Sequence, residues 1–154
     1  MIADRSSPLH LVGVGNELRA DDAVGLVIVS QLRAKLGGAP APGLKIHPGC
    51  QEPERLLAKL ASGEGRIVVF DAVEASGEPG DVVVRSMADT KYGFFGTHNI
   101  PLKLVPGIDG RLDDVFLVGV QPESLDVRHG LSETVRAAAR QIVSAVAEGA
   151  EERA

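Results

Sequence analysis

The chain has 154 residues, of which 44% are hydrophobic, so it can bury one ordinary core, and we expect a single domain over residues 1–154. Its net charge is -5, its basic residues form no stripe, and it has one Tyr, four Phe and no Trp, which excludes a nucleic-acid-binding surface. A single cysteine excludes an intramolecular disulfide and indicates a reducing compartment, the cytoplasm.

The first half of the chain predicts two strand–loop–helix units. Its opening apolar run is too short to cross a membrane and suits a buried strand, so no membrane insertion is expected. Apolar residues then recur at helical spacing until Gly37 and Gly38 stop the pattern. The predicted elements are a strand at residues 9–14, a helix at 23–36, a strand at 44–47 and a helix at 52–60.

The second half continues the alternation of buried strands and helices. Asp71 caps the strand at 66–70, and Ser132 is a plausible N-cap of the last helix. The other predicted elements are an edge strand of opposite direction at 81–85, a loop at 86–97, a short helix at 99–105, a strand at 115–120, a helix at 132–147 and a frayed end at 149–154. This order predicts an α/β three-layer sandwich, with a mostly parallel twisted sheet of about five strands and helices on both faces.

Two acids and a histidine follow the predicted strands. Asp22 comes after the first strand, Asp71 ends a later strand, and His98 lies in a loop further on. Ligands of open parallel sheets bind beyond the carboxyl ends of the strands, where these loops converge. Two carboxylates and one imidazole suit a divalent metal with open positions for water or substrate.

Each of these residues also has a structural interpretation. Asp21 and Asp22 both precede a helix, where acids are favoured as caps and by the helix dipole. Asp71 could end its strand by bonding to a turn, and a lone histidine such as His98 is more often a cap or a satisfied polar contact. The combination of the three, and no single member, indicates a functional site.

A dinucleotide-binding site is disfavoured. The sequence from Gly13 to Asn16 supplies two glycines after a strand, but Leu18 stands where a third glycine is needed. Asp21 and Asp22 would also place negative charge where a phosphate binds at the start of a helix. A nucleotide- or phosphate-binding enzyme therefore remains a minor alternative.

Cys50 and the other histidines give weaker evidence of a functional site. Cys50 as a nucleophile would need a base, and only His47 is near in sequence, so a small buried thiol is favoured. His10 begins a strand and His129 lies in a turn bounded by glycine. We expect both to be ordinary surface or packing residues.

Four sequence blocks occur in order along nearly the whole chain. They are GVGNELRADDAVG at residues 13–25, FDA at 70–72, THNIPL at 97–102 and VGVQPESL at 118–125. Together they resemble the hydrogenase maturation endopeptidases, which remove a C-terminal extension from the large subunit of nickel–iron hydrogenases.

The resemblance implies a role for each member of the triad. Asp22, Asp71 and His98 would be the metal ligands and catalytic residues. The metal would be the nickel already inserted in the large-subunit precursor, which is the expected partner, and Zn²⁺ or Cd²⁺ is expected to substitute in vitro. A chaperone that holds the precursor or its metal without cutting is the alternative, since an intact triad is compatible with both.

One segment departs from the family pattern. Many members carry Asp-Gly-Gly after the second strand, where this chain has HPGCQ at residues 47–51. Gln51 in this segment and Asn16 in the first block are expected to contact the substrate.

Overall fold

A computed structural model describes residues 7–37, 41–89 and 105–153. The described ranges also contain short 3₁₀ turns, of which Ala20–Ala23 is called the acidic turn below. The strands are β1 (Leu9–Gly13), β2 (Leu44–Ile46), β3 (Arg66–Ala72), β4 (Val82–Ser86) and β5 (Val115–Val120), and the helices are α1 (Val24–Leu36), α2 (Glu54–Ala61) and α3 (Glu133–Arg153).

The strands form a five-stranded sheet in the order β2-β1-β3-β5-β4. The pairs β1–β2, β1–β3 and β3–β5 are parallel, and β4 runs antiparallel to β5 at one edge. Short apolar strands joined by helices favour this arrangement, because crossovers between parallel strands need a connection long enough to hold a helix. The α/β class, the mostly parallel sheet and the reversed edge strand are confirmed.

Side chains alternate along each strand and so build a core on each face of the sheet. Val68 and Phe70 of β3 pack with α1 and α3 on the first face. Ile67 and Val69 pack with Leu57 of α2 on the second face, called the α2 face below. Helices therefore cover both faces, as predicted.

Most predicted boundaries lie within one or two residues of the observed ones, and two differences affect the interpretation. Asp71 lies within β3, opposite Gly119 of β5, because the ladder continues one residue beyond it. The predicted end of the last helix at residue 147 and the fraying from 149 are wrong, since α3 continues to Arg153. Ala150 explains the extension, because its side chain is buried in the core of the first face.

Three predictions fall wholly or partly outside the described residues. They are the position of His98, the loop at 86–97 from residue 90 onward and the short helix at 99–105, apart from Val105 itself. The described start of that loop instead ends β4 at Ser86 and continues as a 3₁₀ turn at Met87–Asp89. Across residues 7–37, 41–89 and 105–153, no helix has both the length and the apolar stretch required to span a membrane.

Candidate active site

The loop after β1 runs over the carboxyl edge of the sheet. The N–H of Val14 donates to the Phe70 carbonyl (2.9 Å) and so prolongs the alignment with β3. The side-chain oxygen of Asn16 accepts the N–H of Leu18 (3.0 Å), which closes an Asx turn. The N–H of Asn16 donates to the carbonyl of Asp22 (3.3 Å), so the loop folds back on the acidic turn.

Gly25 sets how closely α1 approaches the strand ends. A Cβ atom at this position would lie 2.2 Å from the carbonyl oxygen of Phe70 and 2.3 Å from that of Val14. Only glycine lets the first turn of α1 sit against the ends of β1 and β3 at this distance. The acidic turn directly before α1 is thereby held at the edge where Asp71 follows Phe70.

The two predicted carboxylate ligands are both removed from solvent. Asp22 is 1% exposed and Asp71 is 0% exposed. One oxygen of Asp71 accepts the N–H of Ala72 (2.8 Å). By the alternation along β3, Asp71 lies on the same face as Val69, the α2 face. Both carboxylates therefore lie buried at the carboxyl edge of the sheet, where ligands of open parallel sheets bind.

The third predicted ligand, His98, belongs to the segment 90–104, outside the described residues. Residues on either side of this segment are described. Met87 before it and Val105 after it both pack in the core of the α2 face. Within 7–37, 41–89 and 105–153, no three His, Cys, Asp or Glu side chains form a group that could hold a metal ion.

Asp21 differs from its neighbour. It is 0% exposed, and its carboxylate accepts four hydrogen bonds from the segment between β5 and α3. Oδ2 accepts the N–H groups of Glu123 (2.9 Å) and Ser124 (3.1 Å) and the hydroxyl of Ser132 (2.9 Å), and Oδ1 accepts the N–H of Ser132 (2.7 Å). The sequence suggested a cap for the adjacent helix, whereas these donors come from the start of α3 and the loop before it.

The two residues predicted to contact substrate differ in exposure. Asn16 is half-buried and its side-chain oxygen is used within the Asx turn. Gln51 is exposed and follows Cys50, whose N–H donates to the Gly13 carbonyl (2.9 Å) at the end of β1. Gln51 is thus at the same edge as the acids, and substrate contact by either residue stays a prediction.

Cys50 has the surroundings of a structural thiol. Burial and then the Glu54 carboxylate raise the pKa of this thiol, which disfavours the nucleophilic thiolate. His47, its nearest candidate base, instead bonds through Nε2 to Nδ1 of His10 at 3.0 Å. His10 is buried in this pair, so it is a packing residue as expected.

Gln121, at the end of β5, was given no role by the sequence. Its buried side-chain oxygen accepts the N–H groups of Ala75 (2.8 Å) and Gly77 (3.2 Å), and its Nε2 donates to Glu74 (2.9 Å). Gln121 thereby fixes the loop that leaves β3 two residues after Asp71. The sequence feature that could have pointed to Gln121 is its position in the block at residues 118–125.

Comparisons with known proteins show similarity to hydrogenase maturation proteases. The family described as HycI, hydrogenase maturation protease, matches residues 39–149, a span that includes Asp71 and His98 and begins after Asp22. A curated relative from Methanocaldococcus jannaschii, provisionally named a hydrogenase maturation protease, is 24% identical over 94% of this chain and 89% of its own length.

Two solved structures are similar to more than nine-tenths of this chain. The nickel–iron hydrogenase maturation protease HycI from Thermococcus kodakarensis has a TM-score of 0.76 and 27% identity, covering 94% of this chain and 92% of its own. The hydrogenase maturating endopeptidase HybD from E. coli has a TM-score of 0.67 and 26% identity, covering 92% of this chain and 93% of its own.

Proposed function

The chain belongs to the hydrogenase maturation protease family and is a peptidase, and we propose that it removes the C-terminal extension of a nickel–iron hydrogenase large-subunit precursor after nickel insertion. Asp22, Asp71 and His98 bind the nickel carried by the precursor. In this proposal the metal arrives with the substrate, and the chain supplies the ligands that recognise it.

The observation that carries the proposal is the pair of buried acids at one edge of the sheet. Asp22 and Asp71 are almost fully buried, and Gly25 holds the acidic turn against the strand that bears Asp71. Carboxylates that the fold already holds in place bind a divalent cation without a prior rearrangement of the protein. Two protein carboxylates leave coordination positions for ligands of the precursor.

His98 is the third ligand in this proposal. The segment that contains it begins after Met87 and ends before Val105, and both of these residues pack on the α2 face. Asp71 occupies a β3 position on that same face. The assignment of His98 rests on its place in the block THNIPL at residues 97–102, which resembles the histidine block of the family.

The reaction is hydrolysis of one peptide bond. A divalent metal polarises a carbonyl or a water molecule, which promotes attack of the water on the carbonyl carbon. The bond between carbon and nitrogen then breaks, leaving a new carboxylate on the large subunit and an amine on the released extension. Gln51, exposed beside the acids, contacts the extension, and the single cysteine supports a reducing compartment, the cytoplasm.

The proposal is tested by replacing each ligand in turn. Asp22→Asn, Asp71→Asn and His98→Ala should each lower the rate of processing of nickel-loaded precursor by at least about a hundredfold, because the loss of even a residue that orients a metal ligand commonly costs ten- to a hundredfold. The rate is measured by mass spectrometry of the shortened large subunit. Asp113→Asn is the matched control, since Asp113 is exposed and lies before β5 at the opposite edge of the sheet.

Two results would count against the proposal. If all three ligand variants cut as fast as wild type, the triad is wrong. If wild type binds nickel-loaded precursor and leaves its length unchanged, the non-cleaving chaperone is favoured instead. Loss of activity in the Asp113→Asn control would show that the assay reports general damage to the fold.

A further inference from the structure

We propose that Asp21 is a positioning residue that holds Asp22 in the direction required for metal binding. The inference rests on the proposed function, since it assigns Asp22 as a metal ligand. Asp21 itself is assigned no contact with the metal. Its carboxylate acts as a clamp between the acidic turn and the segment between β5 and α3.

The oxygens of the Asp21 carboxylate are already used by protein donors. Oδ2 accepts three hydrogen bonds, from Glu123, Ser124 and the hydroxyl of Ser132. Oδ1 accepts the N–H of Ser132 at 2.7 Å. A carboxylate with these partners is fixed in orientation and is directed at the start of α3. The Asp21 carboxylate therefore has a structural role, and of these two adjacent acids the proposed function assigns metal binding to Asp22.

The backbone of the acidic turn is tied to the same segment. The N–H of Asp21 donates to the Ser124 carbonyl (3.1 Å), and the N–H of Ala20 donates to the Arg128 carbonyl (2.8 Å). The side-chain bonds of Asp21 and these two backbone bonds all join the turn to residues between β5 and α3. By contrast, the N–H of Asp22 donates to the Arg19 carbonyl (2.9 Å), within its own loop.

Ala20, directly before Asp21, has a backbone conformation that alanine does not favour. Its φ is +47°, in the left-handed region that residues with a Cβ rarely adopt. Such a conformation persists where the surroundings impose it, and it is found disproportionately at functional sites. Loss of the Asp21 bonds would let Ala20 return to a common conformation, which would turn Asp22 two residues later.

The test measures Ni²⁺ binding by isothermal titration calorimetry. Asp21→Asn keeps the size of the side chain but places an amide nitrogen, itself a donor, among four donors. Leu57→Ala is the stability control, because Leu57 is fully buried on the α2 face and lies outside the acidic turn. Asp22→Asn and Asp71→Asn report on the proposed metal site. All variants are measured at a temperature where circular dichroism shows them folded.

We expect Asp21→Asn to bind Ni²⁺ about tenfold or more weakly, while Leu57→Ala binds as tightly as wild type despite a lower melting temperature. If Asp21→Asn binds as wild type does while Asp22→Asn has lost binding, the positioning role is overturned and the proposed function stands. Equal weakening in Leu57→Ala also overturns it. If wild type binds no free Ni²⁺, the positioning role for binding of the free ion is overturned. If Asp22→Asn and Asp71→Asn bind Ni²⁺ as wild type does, the proposed metal site itself fails.

Discussion

His10, which is buried, and His47, which is half-buried, are joined by a hydrogen bond between their rings. Nε2 of His10 lies 3.1 Å from the Glu64 carbonyl, which can only accept, so His10 carries its proton on Nε2. Nδ1 of His10 then accepts from Nε2 of His47 at 3.0 Å. Burial is the main cause that lowers the pKa of both residues. At His10 the Glu64 bond opposes this effect, while Lys45 and Arg111 add to it. At His47 the pKa is lowered further by His10 and then by the cations Lys59, Lys45 and Arg33.

This pair predicts a loss of stability in mild acid. The unfolded chain takes up protons on these histidines below pH about 6.5, whereas the folded chain, with lowered pKa values, binds fewer. The free energy of unfolding should therefore decrease as the pH falls from about 7.5 to about 5.5. His47→Gln keeps a donor toward His10 but removes one titrating group, so its melting temperature should fall less over this interval.

The measurement is thermal unfolding followed by circular dichroism at the two pH values. His129→Gln is the control, since His129 is exposed, and this variant should lose as much stability as wild type. An equal loss in wild type and His47→Gln would show that the pair does not contribute to the acid sensitivity.

At the scale of elements, the contact of α1 with the ends of β1 and β3 positions the candidate site. Gly13 is the facing residue, because a Cβ there would lie 2.3 Å from the carbonyl of Gly25. Two glycines therefore face each other where the helix crosses the strand. Gly13 and Gly25 are the first and last residues of the sequence block at 13–25, and the loop with the acidic turn lies between them.

Gly25→Ala should accordingly reduce both stability and processing. The added Cβ would overlap backbone carbonyl oxygens, which cannot rotate away, so α1 must move; overpacking of this kind typically costs about 1–3 kcal/mol. The melting temperature should drop by about 2–4 °C for each kcal/mol lost. The processing rate measured at a temperature where the variant is folded should also fall, because the acidic turn moves with α1.

Gly110→Ala is the matched control for this prediction. A Cβ at Gly110 meets nothing within 4 Å, so this variant should keep the stability and activity of wild type. Wild-type activity and melting temperature in Gly25→Ala would contradict the importance of this close approach.

At the scale of the whole molecule, local patterns predicted the sheet and one edge of it. The apolar runs before Asp22 and Asp71 predicted two parallel strands whose carboxyl ends meet, and the structure brings the two acids to that edge. The end of α3 was missed because Gly149 suggests a break, whereas burial of Ala150 keeps the helix intact. Whether a residue is buried depends on the elements that pack against it, and the periodicity of the sequence alone does not identify those elements.

Long-range polar contacts were beyond the reach of the sequence. Asp21 binds Glu123 and Ser132, which lie 102 and 111 residues away along the chain. Gln121 holds Ala75 across 46 residues. No spacing rule links positions this far apart, so Asp21 was interpreted as a cap of its own helix. The family resemblance selected Asp22 as the ligand, and the hydrogen bonds of Asp21 supply a physical reason for the distinction.

The most direct test of the account compares cleavage of one precursor with and without nickel. Purified chain is mixed with nickel-loaded and nickel-free large-subunit precursor, and the intact mass of the large subunit is followed over time. The account predicts a single shortening at the C-terminus in the nickel-loaded sample and an unchanged mass in the nickel-free sample. Equal cleavage of the two samples, or cleavage of neither, would contradict it.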